Sequence, residues 1–222
     1  MRSGDSTGMM SGGSVREQAL MAKEAARRLR SASTLEKNTA LLAMADALEA
    51  KSDKILAANR EDVEAAKARG ISKALVDRLT LNQERLKAAA DGLREVAALP
   101  DPVGVTVSMG RRPNGMEVGR VRVPLGVVAI IYEARPNVTV DAAGLCLKAG
   151  NAVILRGGSD AFRSNKAIVD AMCSALGDTT LPEKSIQMVE DTSRASAEEL
   201  MRLSGLVDVL IPRGGRGLIQ SV

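Results

Sequence analysis

Residues 126–137 read GVVAIIYEARPN: an unbroken apolar run, Val127 to Ile131, ends in Tyr132 and then empties into Glu133, Ala134, Arg135, Pro136 and Asn137. A short apolar run bounded by Gly and Pro reads as a strand covered on both faces, which is the habit of parallel sheets. Three further runs have the same character: NAVILR (151–156), SIQMVE (185–190) and VDVLIP (207–212). Segments of helical composition separate them, VTVDAAGLCLKAG (138–150), SNKAIVDAMCSALG (164–177) and SAEELMRLSG (196–205). Strands alternating with helices of this length predict an α/β fold, a parallel Rossmann-like sheet with helices on both faces. Ligands bind such sheets beyond the carboxyl ends of the strands. The loops YEARPN, RGGSDA and PRGGRG all follow strand ends, so all three are expected on one rim.

Two of these loops share a chemistry. Arg156-Gly157-Gly158-Ser159 and Arg213-Gly214-Gly215 each pair a fixed, planar charge with glycines that let a backbone approach a ligand. With a helix expected after each, they are candidates for holding phosphate, although neither matches the dinucleotide fingerprint or the P-loop pattern. Read one at a time, each is equally an ordinary turn. Asn137 has two readings as well: a cap for the helix that follows it, or a neutral amide donor for a developing oxyanion.

Upstream, residues 14–99 carry helical periodicity in Ala19, Ala22, Ala26 and Leu29, in Leu41, Ala45 and Leu48, and in Leu86, Ala90, Leu93 and Ala97. Ser33 with Glu36, and Thr80 with Gln83, have capping-box spacing, and Gly70 stands where a helix should stop. After LPDPVG, the stretch VTVSMGRRPNGMEVGRVRV alternates about Asn114–Gly115 and predicts a tight β-hairpin. The hairpin is either a solvated ribbon or an arm that pairs with another subunit. A lone two-stranded ribbon is marginal, which favours the arm. The expected divisions are a disordered amino terminus (1–13), a helical region with its hairpin arm (14–123) and the sheet segment (124–222).

Composition narrows the chemistry. The 222 residues hold one Phe, one Tyr, no Trp and no His, with a net charge of +4. Scarce aromatics and scattered basic residues argue against a nucleic-acid partner. Lack of histidine removes the commonest general base and metal ligand, so no metal site is expected. Cys146 and Cys173 are too few for a Cys-only zinc site, and each lies among apolar helix residues without a partner to lower its pKa. They read as small core residues. No segment has the length or apolarity of a membrane span or secretory signal, and a cytoplasmic location is expected.

The run RVRVPLGVVAIIYEARPNVTVDAAGLCLKAGNAVILRGGSDA, with LPDPVG before it and VDVLIPRGGRGLI after it, closely resembles the gamma-glutamyl phosphate reductases of the aldehyde dehydrogenase superfamily. The likeness includes ANREDVEAAKARG and LVDRLTL in the helical region. It implies NADPH-dependent reduction of L-glutamate 5-phosphate to L-glutamate 5-semialdehyde and phosphate, a step of proline biosynthesis, through a thioester on a catalytic cysteine. That cysteine belongs to a motif like RPSVCNA, which does not occur here. The resemblance therefore implies the amino-terminal half of such an enzyme, without its catalytic domain and inactive alone. By the same resemblance Asn137 supports an oxyanion, Arg156 favours the 2′-phosphate of NADPH, and Gly157, Gly158 and Ser159 line that pocket. Arg213, Gly214 and Gly215 lie near the cofactor diphosphate, Glu133 and Arg135 orient the substrate, and the hairpin makes a homo-oligomer. Two other readings stay open: a stand-alone nucleotide-binding module, and an interaction protein assembling through its arm.

Overall fold

The computed structural model describes residues 13–215; the expected disordered terminus, all but its last residue, and positions 216–222 of the sheet segment lie outside the described residues. Five helices come first: α1 (Val15–Leu29), α2 (Thr34–Ala50), α3 (Ser52–Ala68), α4 (Lys73–Leu79) and α5 (Gln83–Ala98). Their start signals are largely local. Ser14 with Glu17 and Ser33 with Glu36 form complete capping boxes. Past α3, Gly70 takes a left-handed φ of 72° while the Ile71 amide donates back to the Ala66 carbonyl, which satisfies a helix-end carbonyl. The Thr80–Gln83 box does not form. Asn82 caps α5 instead, its side chain accepting from the Arg85 amide at 2.7 Å, and the Thr80 hydroxyl turns back to the Val76 carbonyl at 2.7 Å.

A two-stranded antiparallel ribbon follows, β1 (Thr106–Arg111) and β2 (Glu117–Val121). Its turn is wider than a two-residue Asn–Gly hairpin. Gly115 alone has positive φ there, and its amide donates to the Arg112 carbonyl across Pro113 and Asn114. Every residue of both strands is exposed; Val107 and Met109 lie uncovered on one side of the ribbon and Val118 on the other.

The remainder alternates as expected: β3 (Val127–Tyr132), α6 (Pro136–Lys148), β4 (Ala152–Arg156), α7 (Phe162–Gly177), β5 (Ile186–Met188), α8 (Arg194–Arg202) and β6 (Val209–Arg213). The four strands pair in parallel in the order β5-β4-β3-β6. The chain steps outward through β4 and β5, then returns over α8 to lay β6 on the far side of β3. α6 and α7 cover one face and are themselves covered by α2, α3 and α5, while α1 lies against β3, β4 and β5 and touches α8. One hydrophobic cluster runs through these layers, so the sheet and most of the amino-terminal helices share a core. Among the described residues no helix is long and apolar enough to cross a membrane.

Charged residues tie the layers. Lys37 is buried at 1% exposure and reaches Asp101, in the connector to the ribbon, at 2.5 Å. Burial opposes the Asp101 charge, but the Lys37 ammonium, the Val103 amide and the Thr34 hydroxyl outweigh it and hold the carboxyl below its ordinary value. At the start of β3, Gly126 has a φ of 121°, and a Cβ there would run into the Asp208 carboxylate.

Three substitutions test this packing. Gly126→Ala is expected to destabilise by more than about 1 kcal/mol, since it adds a steric conflict to an unfavourable φ. Gly92→Ala, inside α5 with open space around it, is expected to stabilise by about 0.5–1 kcal/mol. Thermal melts should move in opposite directions; a common sign would refute the assignment of Gly126. Lys37→Met, which leaves Asp101 without its buried partner, is expected to cost about 3–5 kcal/mol at pH 7. Because the folded Asp101 pKa is depressed, this contribution is complete above the unfolded value of about 4 and fades as pH falls through the folded value. Denaturant titrations should therefore show the deficit shrinking below pH 4, and a deficit constant from pH 7 to pH 3 would exclude the ion pair as its source.

Candidate functional site

β3 and β6 are neighbours, yet the chain leaves β3 toward α6 and β4 on one side and reaches β6 from the other. This is a topological switch point, where the loops after two adjacent strands part and open a crevice. Tyr132 pairs with Arg213 at the carboxyl ends of the two strands. Glu133 bridges the parting loops, its Oε1 accepting from the Gly215 amide at 2.7 Å. Two adjoining cavities occupy the crevice, about 370 Å³ and 340 Å³, and share Arg78, Arg135, Val138 and Arg213 in their walls. Glu133, Gly214 and Gly215 line the smaller, and Asn137 lines the larger.

The capping alternative for Asn137 is corrected by the start of α6. Arg135 holds the N-cap position without a side-chain bond and Pro136 is the first helical residue, where its lack of an amide hydrogen costs nothing. Asn137 is thus the second residue of the helix. Its side chain is exposed toward the cavity, and the first-turn amides of α6 have no side-chain cap. By contrast, the Ser164 amide in the first turn of α7 donates to Asp62 at 2.8 Å.

The β4 loop adjoins the crevice without lining either cavity. Gly157 is buried against Tyr132 and Asn165: a Cβ would lie 3.3 Å from the tyrosine oxygen and collide with the Asn165 amide nitrogen. Gly158 packs on the Glu133–Ala134 backbone. At Gly157 the glycine is required by the protein's own packing, whereas at Gly158 a Cβ would make only ordinary contacts. Beneath them Tyr132, Thr139 and Asn165 form a buried chain of hydrogen bonds at 2.7 and 2.9 Å, and burial pushes the Tyr132 phenol up to about 12. Ser159 opens a single 3-10 turn before α7 and is exposed. Arg156, last in β4, donates through Nη2 to the carbonyls of Thr192 and Ser193 at 2.6 and 2.8 Å. Its pKa is lowered by burial, partly offset by Asp191, and the guanidinium stays charged.

The opposite wall of the larger cavity comes from the α4–α5 region, which sequence reasoning did not connect with the site. Asp77, Arg78, Thr80 and Arg85 line it. Arg85 is occupied, donating to the Asp77 and Thr80 carbonyls at 2.6 and 2.8 Å and to the Asp77 carboxylate at 3.0 Å. Asn59, buried in α3, fixes this turn by accepting from the Leu81 amide at 2.7 Å and donating to the Leu79 carbonyl at 2.9 Å. Asp141, one turn into α6, completes the polar lining. Atoms packed round it raise its carboxyl above the ordinary aspartate value although the side chain still meets solvent, and Arg213 works against that shift.

The arrangement concentrates positive charge. Among the described residues Arg78, Arg135 and Arg213 form no ion pair, and all three are exposed at the crevice. Neither thiol is activated: burial pushes Cys146 and Cys173 each up to about 12.

Comparison with known proteins agrees with this geometry. The Aldehyde dehydrogenase family profile matches residues 9–211. The gamma-glutamyl phosphate reductase of Moorella thermoacetica is 58% identical over 208 residues, 94% of this chain and 50% of the relative. That of Heliobacterium modesticaldum is 60% identical over 201 residues, 90% of this chain and 48% of its own length. The crystal structure of the Thermotoga maritima gamma-glutamyl phosphate reductase is similar at a TM-score of 0.92 and 46% identity, over 94% of this chain and 50% of that one. The Saccharomyces cerevisiae enzyme gives 0.87 and 28%, over 95% and 54%. The chain spans about half the length of the curated relatives it matches. With a family match across most of its length and a parallel sheet that opens at its switch point, the chain belongs to the aldehyde dehydrogenase family.

Proposed function

We propose that this chain is the cofactor-binding part of an NADPH-dependent reductase that converts L-glutamate 5-phosphate to L-glutamate 5-semialdehyde and phosphate. The observation that carries the reading is the switch-point crevice, where unpaired arginines and an uncapped helix start face the same space. Helix amides and guanidinium groups are the natural partners of phosphate oxygens, so the lining fits a dinucleotide and a phosphorylated substrate. When bound, the nicotinamide supplies a hydride. The chain's own residues bind and orient. Gly214 and Gly215 present backbone beside the cofactor diphosphate, and the Asn137 amide is placed to donate to an oxyanion. Arg156 ends the second strand of the βαβ unit, the region where Rossmann-type sites meet the adenosine ribose. Its Nη2 holds the Thr192–Ser193 backbone, and its Nη1 is left for a 2′-phosphate. Gly157, Gly158 and Ser159 shape that end of the site by packing. Glu133 and Arg135 stand at the substrate end.

With both thiols protonated at neutral pH, the 222 residues bind ligands without turnover. Residues 124–222 constitute the NADPH-binding segment, the location is cytoplasmic, and the β1–β2 ribbon, exposed along both strands, makes a homo-oligomer by packing against a second copy.

Calorimetry on the purified chain tests the cofactor reading. A charge-assisted contact contributes about 1.5–3 kcal/mol, so NADPH is expected to bind about ten- to hundredfold more tightly than NADH. Arg156→Ala should remove most of that preference while changing NADH affinity little. Equal weakening toward both cofactors, with a lowered melting temperature, would show that Arg156 serves only to hold the Thr192–Ser193 loop.

A further inference from the structure

The α4–α5 wall gives the crevice a feature that a cofactor does not require. Arg78 comes from the amino-terminal helices, far from β3 and β6 in sequence, yet it lines both cavities together with Arg135 and Arg213. None of the three guanidinium groups forms a salt bridge among the described residues, and like charges lining one cavity favour an anion between them. Arg85 differs from them in being tied to its own turn, through the Asp77 and Thr80 carbonyls and the Asp77 carboxylate. It acts as a brace that holds the turn carrying Arg78, and Asn59 anchors the same turn from the core. An anchored turn is what a recognition residue needs, because a guanidinium fork discriminates only when its direction is fixed. On the facing wall Asp141 contributes one carboxylate.

We propose that Arg78 is a substrate-binding residue, and that this cavity takes a phosphorylated α-amino acid. Arg78, Arg135 and Arg213 hold its phosphoryl and carboxylate groups, and Asp141 holds its ammonium. The sequence reading gave Arg213 to the cofactor; its position beside Arg78 and Asp141 gives it to the substrate. A ligand with two anionic ends and one cation matches the lining in sign and number, whereas a dinucleotide offers nothing for Asp141. About 370 Å³ in the larger cavity suits a small ligand of this kind and falls at the lower end of the usual range for such sites. The identity of the substrate rests on the reductase reading; the assignment of Arg78 rests on the cavity.

The test uses the purified chain and a stable phosphonate, L-2-amino-6-phosphonohexanoate, in which the reactive acyl phosphate is replaced by methylenes. Calorimetry should show binding that Arg78→Gln weakens roughly tenfold or more, the size of one charge-assisted contact, and by a larger factor than it weakens NADPH binding. Arg78→Lys keeps the charge without the fork and should show a smaller loss; it decides the matter if Arg78→Gln does not fold. Asp141→Asn should weaken the amino compound while leaving 6-phosphonohexanoate, which lacks the ammonium, unaffected. Undiminished phosphonate binding by the Arg78 variants overturns the assignment, as does displacement of phosphonate by NADPH, or failure to bind phosphonate in a chain that binds NADPH. Phosphonate binding that depends on Arg78 in a chain that ignores NADPH upholds the assignment and sinks the cofactor reading instead.

Discussion

Asp208 accepts the Val127 amide and the Lys23 ammonium, each at 2.8 Å, and its own amide donates to the Val127 carbonyl at 2.9 Å. These bonds clamp the entry to β6 against the start of β3 and fasten both to α1. Burial disfavours the Asp208 charge, yet Lys23 and the Val127 amide more than compensate and keep its carboxyl below the ordinary value. Everything at the carboxyl ends depends on that clamp. It sets the register in which Tyr132 faces Arg213, and so where the two loops part. Gly126 belongs to the same constraint, since the Asp208 carboxylate fills the space a side chain would need.

A second set of polar contacts carries the amino-terminal helices to the site. Asp62 accepts from the amide and hydroxyl of Ser164, and Asn59 donates to that same hydroxyl at 3.0 Å. Satisfied buried groups of this kind specify one arrangement, because breaking any member strands the others. They join α3 to α7 and to the α4–α5 turn at once. The crevice therefore has one wall built by the sheet and another built by helices that contribute no strand.

Much of this was legible in the chain. Apolar runs identified β3 and β4 because buried parallel strands leave no room for alternation; shorter runs found β5 and the only partly buried β6, and Ala/Leu spacing identified the helices because their burial follows the 3.6-residue period. The rim loops were placed correctly because strand ends in such sheets share a direction. Local motifs failed where a neighbour competed. Thr80 found the Val76 carbonyl and left the cap to Asn82, and Gly157 is glycine because Asn165 and Tyr132 crowd it. Arg78 lies in LVDRLTL, part of the family likeness, yet nothing in its own pattern tied it to the site. A charged residue on a seven-residue helix looks like solvated surface until the Asn59 contact, twenty residues away, turns it toward β3 and β6.

The Glu133–Gly215 hydrogen bond gives the crevice a form of internal accounting. It joins the loop after β3 to the loop after β6, so neither is an independent surface. A ligand that draws the Glu133 carboxylate to itself uncovers the Gly215 amide, and one that takes that amide frees the carboxylate. Both partners line the smaller cavity, so by thermodynamic reciprocity whatever an occupant there does to this bond, the bond does in equal measure to that occupant's affinity. A single bond across the mouth of the sheet thus makes two loops answer to one ligand.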